Sequence, residues 1–231
     1  MSVIIIQKLQ KTMTIRLLFL LILLVATSSY AQEAKDPTRF KDEIASLTAN
    51  DKSVNKKHLI LFTGSSSIRL WKNLQSSFPG KNILNRGFGG SEMSDLLYYF
   101  DQLILPYQPE QIFIYEGDND TNEGKTSEQV LKDATLLLNK IRSQISPTVE
   151  VLFISAKPSL ARAQLKDRYL KFNADLKLWS EKQTNVKFVD VWTPMMDKKG
   201  EVMNDLFIED HLHMNEKGYV IWKRVIGPNL K

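Results

Sequence analysis

Four short segments of the sequence carry side chains that could perform chemistry. A serine triplet occupies 65–67, a glycine-rich segment occupies 87–90, Asn119 follows an apolar run, and Asp210 precedes His213 by three residues. A hydroxyl, an imidazole and a carboxylate can together form an activated nucleophile. Backbone N–H groups and an asparagine amide can donate hydrogen bonds to an oxyanion. These residue types fit acyl transfer, provided that the fold brings them together.

The serine triplet lies at a predicted junction between a strand and a helix. Residues 58–63 form a short apolar run without helical spacing, typical of a strand buried on both faces of a parallel sheet. Gly64 ends the run, and apolar residues then recur three apart at Ile68, Trp71 and Leu74, which predicts a helix. Open α/β sheets bind ligands at this edge, where helix N-termini favour negative charge. A serine here is either a nucleophile or simply a helix cap.

The other candidates also have structural alternatives. The glycines of 87–90 permit close backbone approach to an anion, or they merely form a tight turn. Asn119 can donate to an oxyanion, or it can be an ordinary turn residue. Asp210 can meet His213 across one turn and orient its imidazole, but a histidine can also be a plain surface or core residue. Metal ligation by His211 and His213 is a further alternative, although the sequence contains no second cluster of ligands.

Apolar runs and helical spacing alternate along the chain. Strands are predicted at 58–63, 82–85, 111–116, 149–155 and 186–191, and helices at 37–51, 68–74, 94–105, 127–145, 162–182 and 217–231. This alternation predicts one α/β domain with a parallel sheet covered by helices on both faces. Because each candidate segment follows a predicted strand, we expect all of them at one edge of the sheet. The N-terminal helix is amphipathic and is expected to pack against the outside of the domain.

The first residues have the pattern of a secretory signal peptide. Within 1–31, positive residues precede an apolar run at 17–26 that is too short to span a membrane, and small residues precede a predicted cleavage before Gln32. The predicted mature domain is therefore 32–231, located in the periplasm or secreted and without a membrane span. The alternative is an uncleaved N-terminal anchor. The net charge of +5 derives mostly from this segment, so a nucleic-acid partner is not expected.

The four segments together resemble the SGNH hydrolases, also called the GDSL esterase/lipase family. The sequences at 64–66, 85–90, 117–120 and 210–213 are similar to its conserved blocks, in the same order. The Gly-Ser-Ser-Ser-Ile-Arg sequence is similar to a branch of secreted bacterial members. Ser65 departs from the pattern, since it stands where the family usually has aspartate.

The resemblance implies a flavodoxin-like fold, a three-layer α/β/α sandwich around a five-stranded parallel sheet. It implies a catalytic triad of Ser66, His213 and Asp210. The implied oxyanion hole consists of the backbone N–H groups of Ser66 and Gly90 and the amide of Asn119. Neither a metal nor a cofactor is implied, and the absence of cysteine excludes thiolate catalysis and cysteine-bound metals.

The predicted function is hydrolysis of an ester through an acyl-enzyme. The candidate loops are short and polar, and no apolar insertion that could cover a lipid lies between Asn119 and Asp210. Short acyl esters, above all acetyl esters of a carbohydrate, are therefore the expected substrates. The alternatives are a lysophospholipase or thioesterase acting on longer acyl chains and a non-catalytic carbohydrate- or lipid-binding module. No sequence feature specifies an oligomeric state.

Overall fold

The computed structural model describes residues 35–231, and Asp36–Lys231 form one compact unit. Its five strands are β1 (Leu59–Gly64), β2 (Asn82–Gly87), β3 (Gln111–Tyr115), β4 (Glu150–Ile154) and β5 (Val186–Val189). All neighbouring strands pair in parallel, in the order β2-β1-β3-β4-β5. This is the strand order of flavodoxin-like sheets, so the predicted fold class is confirmed.

Helices cover both faces of the sheet. They are α1 (Lys41–Thr48), α2 (Ser66–Arg69), α3 (Leu74–Ser77), α4 (Met93–Tyr98), α5 (Phe100–Leu103), α6 (Asp118–Asn122), α7 (Ser127–Gln144), α8 (Lys166–Glu181) and α9 (Glu216–Ile226). Short 3₁₀ turns lie at Pro37–Phe40, Asp51–Ser53, Leu105–Tyr107, Ala163–Leu165, Thr193–Met195, Asn204–Leu206 and Gly227–Asn229. Within residues 35–231, none of these helices combines the length and the apolar character that crossing a bilayer requires.

Alternate side chains of each central strand enter different cores, which makes the three layers. In β1, Leu59 and Leu61 pack in a core with residues of α1, α4, α5, α7 and α8. Ile60 and Phe62 enter the opposite core with residues of α2, α3 and α9. Phe62 also stacks on Phe113 of β3, with ring centroids 4.4 Å apart. A strand covered on both faces places successive side chains in apolar surroundings, which explains the run of four apolar residues from Leu59 to Phe62.

Several predicted elements differ from the observed ones. The helix predicted over 94–105 is divided at Tyr99, whose hydroxyl donates to Pro37 O at 2.9 Å. The helix predicted over 68–74 is two single turns, and Trp71 between them is buried. Strand β2 continues two residues past its predicted end because Arg86 and Gly87 still pair with β1. The beginning of the glycine-rich segment is therefore held rigidly by the sheet.

The N-terminal region is described from Lys35 onward. The predicted signal peptide at 1–31 and its cleavage before Gln32 lie outside the described residues and stay predictions. The predicted amphipathic helix begins with a 3₁₀ turn and continues as α1. Ile44 is buried, and Phe40 and Leu47 pack against the same core.

Candidate active site

Three of the predicted residues form a hydrogen-bonded line at the carboxyl edge of the sheet. Ser66 begins α2 directly beyond β1, and its Oγ lies 2.9 Å from Nε2 of His213. Nδ1 of the same imidazole lies 2.5 Å from Oδ2 of Asp210. The separations are those required for a base to take a proton from a nucleophile while a carboxylate orients the base.

The backbone at the end of β1 directs Ser66 into this position. Gly64 has a φ of 115°, and a Cβ placed there would lie 2.1 Å from the carbonyl oxygen of Tyr115. Only glycine fits such a conformation at such a close approach. Ser65 then occupies the N-cap position of α2, but its side chain makes no capping hydrogen bond. The capping alternative for the triplet therefore has no support in the contacts.

A tight turn holds the carboxylate of Asp210 against the imidazole. Oδ1 of Asp210 accepts hydrogen bonds from the backbone N–H groups of Leu212 and His213 at 2.9 and 2.8 Å. His211, between Asp210 and Leu212, has a left-handed backbone with φ 56°. Burial of Asp210 raises its pKa, but hydrogen bonds from the His213 ring and from these two N–H groups outweigh it and lower the pKa to about 2. The carboxylate is therefore ionised throughout the neutral range and can stabilise a protonated imidazole.

The contacts do not favour the metal alternative for the two histidines. Both ring nitrogens of His213 already face a partner, Ser66 on one side and Asp210 on the other. Across residues 35–231, no group of three or more histidine, aspartate or glutamate side chains is arranged to hold a metal ion.

Asn119 and the glycine-rich segment meet beside Ser66. Asn119 lies on the single-turn helix α6 rather than in the predicted loop. Its Nδ2 donates to Ser91 O at 2.8 Å and to Ser65 Oγ at 2.7 Å. Gly90, which precedes Ser91, is exposed, and a Cβ on it would meet no atom within 4 Å. The structure therefore brings the predicted oxyanion-binding segments together.

Helix α1 supports the glycine-rich segment from outside the sheet. The backbone N–H of Gly89 donates to Oε1 of Glu43 at 2.9 Å, and Nη1 of Arg69 lies 3.4 Å from the same oxygen. Phe40 packs edge-on against Phe88, with ring centroids 5.0 Å apart. Glu43 was not predicted, since the apolar stripe of this helix indicated only packing and showed no link to the site.

A buried group of charges lies directly behind Asn119. Asp118 accepts hydrogen bonds from Tyr115 Oη at 2.7 Å and from Arg162 Nη1 at 2.5 Å, and Lys157 Nζ lies 3.5 Å away. Burial raises the pKa of Asp118, but Lys157 and Arg162 reverse this and lower it to about 2. Neither cation was predicted, because both lie between β4 and α8 in a segment without a motif.

A second buried carboxyl lies behind Ser91. Glu116 accepts a hydrogen bond from Ser91 Oγ at 2.7 Å and is only 1% exposed. Burial, followed by the nearby charge of Asp120, raises the pKa of Glu116 well above its ordinary value of 4.5. The site behind Ser91 therefore favours the protonated, neutral form of Glu116.

We expect Glu116→Gln to remove a pH-dependent destabilisation. Above pH 4.5, the unfolded chain releases a proton that the folded chain keeps, so the stability of the wild type falls as pH rises. Glutamine has a similar shape and does not titrate. The melting temperature of the variant minus that of the wild type should therefore increase as the pH rises above 4.5. Glu181→Gln, a change at an exposed residue, is the control. A difference independent of pH would show that Glu116 is ionised in the folded protein.

Solved structures share this fold. A protein from Streptococcus pneumonia described as a platelet activating factor superposes with a TM-score of 0.73 at 20% identity, over 95% of this chain and 99% of that chain. A GDSL-like lipase from Bacteroides thetaiotaomicron gives 0.67 at 19% identity, over 84% and 97%. A catalytic mutant of an acetylxylan esterase from Geobacillus stearothermophilus gives 0.63 at 14% identity, over 75% and 94%. A comparison with curated protein sequences gave no match.

The family assignment comes from the sequence itself. Residues 46–221 match the model of the GDSL-like lipase/acylhydrolase family. Because the match spans most of the chain and includes all four motif segments, the chain belongs to this family. It is therefore a carboxylic ester hydrolase.

Proposed function

We propose that the chain is a serine esterase that removes short acyl groups, above all acetyl, from carbohydrate esters. The observation that carries the proposal is the hydrogen-bonded line from Ser66 through His213 to Asp210. A module that only bound its ligand would have no use for this arrangement, so the contacts favour a catalytic role. The predicted signal peptide supports action outside the cytoplasm.

The first half of the reaction forms an acyl-enzyme. His213 Nε2 takes the proton from Ser66 Oγ as the oxygen attacks the ester carbonyl carbon. The electron pair of the carbonyl moves to its oxygen. This oxyanion accepts hydrogen bonds from the N–H groups of Ser66 and Gly90 and from the amide of Asn119. For Asn119, the oxyanion replaces the Ser65 hydroxyl as acceptor, since a charged oxygen accepts more strongly than a neutral one. His213 then returns the proton to the departing alkoxide.

The second half hydrolyses the acyl-enzyme. His213, neutral again, takes a proton from water as the water oxygen attacks the acyl carbon. The same donors hold the second oxyanion. Its collapse expels Ser66 Oγ, which recovers the proton from His213, and the carboxylic acid leaves. Asp210 stays ionised and stabilises the imidazolium formed in each half.

The surroundings of the triad favour a small acyl group. Between α6 and the turn at Asp210, the described chain contains α7, β4, α8 and β5 joined by loops and 3₁₀ turns, with no further α-helix that could cover a lipid. Asp210 and Gly90 are both exposed. A long acyl chain gains about 0.8 kcal/mol per CH₂ only where an apolar channel buries it. The likeness to an acetylxylan esterase is consistent with this preference.

One observation favours the alternative of a longer acyl chain, as in a lysophospholipase or thioesterase. Ile208 is 47% exposed, and its backbone N–H donates to His213 O at 2.9 Å. An apolar side chain so close to the triad could contact the first carbons of an acyl group. It is a single side chain, so short acyl groups remain the better fit.

A series of p-nitrophenyl esters from acetate to decanoate tests the proposal. We expect kcat/KM to be highest for acetate or butyrate and to fall with longer chains, because the described chain between α6 and Asp210 has no added helix that would bury the extra carbons. The wild type should also release acetate from acetylated xylooligosaccharides, and Ser66→Ala should not. A value of kcat/KM that climbs steadily to decanoate would replace the proposal with the lysophospholipase or thioesterase alternative.

A further inference from the structure

We infer that Arg162 is a positioning residue for the oxyanion donor Asn119, an inference that rests on the proposed function. Arg162 precedes the 3₁₀ turn before α8, and its side chain is 12% exposed. Nη2 donates to Asn119 Oδ1 at 3.0 Å. Nη1 donates to Asp118 Oδ1 at 2.5 Å and to the backbone oxygen of Asp118 at 3.2 Å. The guanidinium therefore holds two consecutive residues of α6.

The contact with Oδ1 selects one of two orientations of the Asn119 amide. An asparagine amide can rotate by half a turn, which exchanges its donor and its acceptor. Arg162 has only N–H donors, so it can bond Asn119 only when Oδ1 faces the guanidinium. Nδ2 then faces Ser65 and Ser91. The opposite orientation would direct a carbonyl oxygen at the oxyanion. Ser91 O favours the same orientation from the other side, so two contacts select it jointly.

The positive charge of Arg162 also favours hydrogen bonding of the oxyanion by Asn119. A cation bonded to Oδ1 polarises the amide and strengthens Nδ2 as a donor, most of all when the acceptor becomes an oxyanion. Asp118 neutralises one positive charge of this group, but Lys157 supplies a second one. The buried group therefore does not place a net negative charge behind the oxyanion hole.

The segment that carries Arg162 also contacts the histidine turn. The backbone N–H of Ala161 donates to His211 O at 3.1 Å. Adjacent residues thus hold the oxyanion donor through Arg162 and the turn with His213 through Ala161. Residues 161–162 therefore connect the oxyanion donor Asn119 with the turn that carries His213. This connection is why Arg162, which lies outside every motif segment, can affect the reaction.

The first experiment compares kinetic constants of Arg162→Ala and the wild type on p-nitrophenyl acetate. We expect kcat to fall by roughly 10- to 100-fold with little change in KM, less than the 10²–10³ typical of deleting an oxyanion donor outright. The control is Arg142→Ala, which removes a half-buried arginine of α7 whose guanidinium donates to Thr184 O at 2.7 Å. The control should keep wild-type kinetics. A loss confined to KM would make Arg162 a substrate-binding residue and overturn the inference.

A double-mutant cycle separates positioning from a general structural role. If Arg162 acts through Asn119, adding Arg162→Ala to Asn119→Ala should lower kcat little further. Additive losses would overturn the inference, because they would mean that Arg162 supports the site independently of Asn119. Guanidinium ion should partly restore kcat of Arg162→Ala, but not of Asn119→Ala.

Arg162→Lys keeps the inference testable should the alanine variant fold poorly. Lysine keeps a positive charge opposite Asp118 but cannot bond Asp118 and Asn119 at once with a planar fork. We expect a near-normal melting temperature with kcat lowered about tenfold, the scale of a displaced rather than a deleted donor. Full activity of this variant would overturn the inference. An inactive wild type, or an undiminished Ser66→Ala, would instead overturn the proposed function itself.

Discussion

Replacing Ser66 by alanine is expected to lower kcat by a factor on the order of 10⁶, the usual cost of losing a triad nucleophile. The expectation follows from the 2.9 Å contact between Ser66 Oγ and His213 Nε2, since no other serine hydroxyl is paired with that imidazole among the described contacts. Without Oγ, the acyl-enzyme cannot form, and His213 has no proton to take. Initial rates on p-nitrophenyl acetate at saturating substrate measure the loss.

The neighbouring Ser67→Ala is the matched control for Ser66→Ala. Ser67 belongs to the same triplet and the same helical turn, but it is buried, its side chain bonds the hydroxyl of Tyr115, and its backbone oxygen accepts from Tyr219 Oη. We expect its turnover to stay near that of the wild type, with at most a lower melting temperature. Near-normal turnover of Ser66→Ala at a normal melting temperature would show that Ser66 is not the nucleophile.

Much of the fold could be predicted because the physical signals are local. The run at 58–63 is apolar from 59 to 62 since both faces of β1 are covered there, and such a run predicts a central parallel strand. Gly64 could be recognised as the end of the strand, and the structure shows why glycine is required there. The catalytic candidates could be found for a related reason. Asp210 and His213 meet across one turn, and spacing along the chain is enough to suggest such a contact.

The supporting residues could not be predicted because their contacts join distant parts of the chain. Glu43 reaches Gly89 across 46 residues, and Arg162 reaches Asn119 across 43. No spacing rule connects such pairs, since the packing of α1 and the path of the segment after β4 decide which side chains approach. The predicted extent of the helix over 94–105 was wrong for the same reason, because Tyr99 interrupts it and donates a hydrogen bond to the distant Pro37 O.

The supporting contacts also suggest how the site is made rigid. Glu43 holds the N–H of Gly89, and Asn119 holds the carbonyl of Ser91, so the exposed Gly90 lies between two fixed residues. A donor fixed before the reaction needs no reorganisation when charge develops on the substrate, which is the main source of oxyanion stabilisation. The precision of the proposed oxyanion hole therefore depends on α1 as well as on the motif segments.

Replacing His213 by alanine should lower kcat by a factor on the order of 10⁶, about as much as Ser66→Ala does. Both ring nitrogens of His213 are in use, one for Ser66 and one for Asp210, so no part of the proton transfer survives its removal. Because the two residues act as one unit, the double variant Ser66→Ala/His213→Ala should be scarcely slower than either single variant.

His211→Ala is the matched control for His213→Ala. His211 lies two residues away in the same turn and is exposed, and only its backbone groups have hydrogen-bond partners among the described contacts, so turnover should fall little. Its left-handed backbone makes some loss of thermal stability expected, which a melting curve would report separately. EDTA should leave the wild type active. Inactivation by EDTA with recovery on added zinc, together with a loss in His211→Ala as large as in His213→Ala, would mean that the two histidines bind a metal and that the triad assignment is wrong.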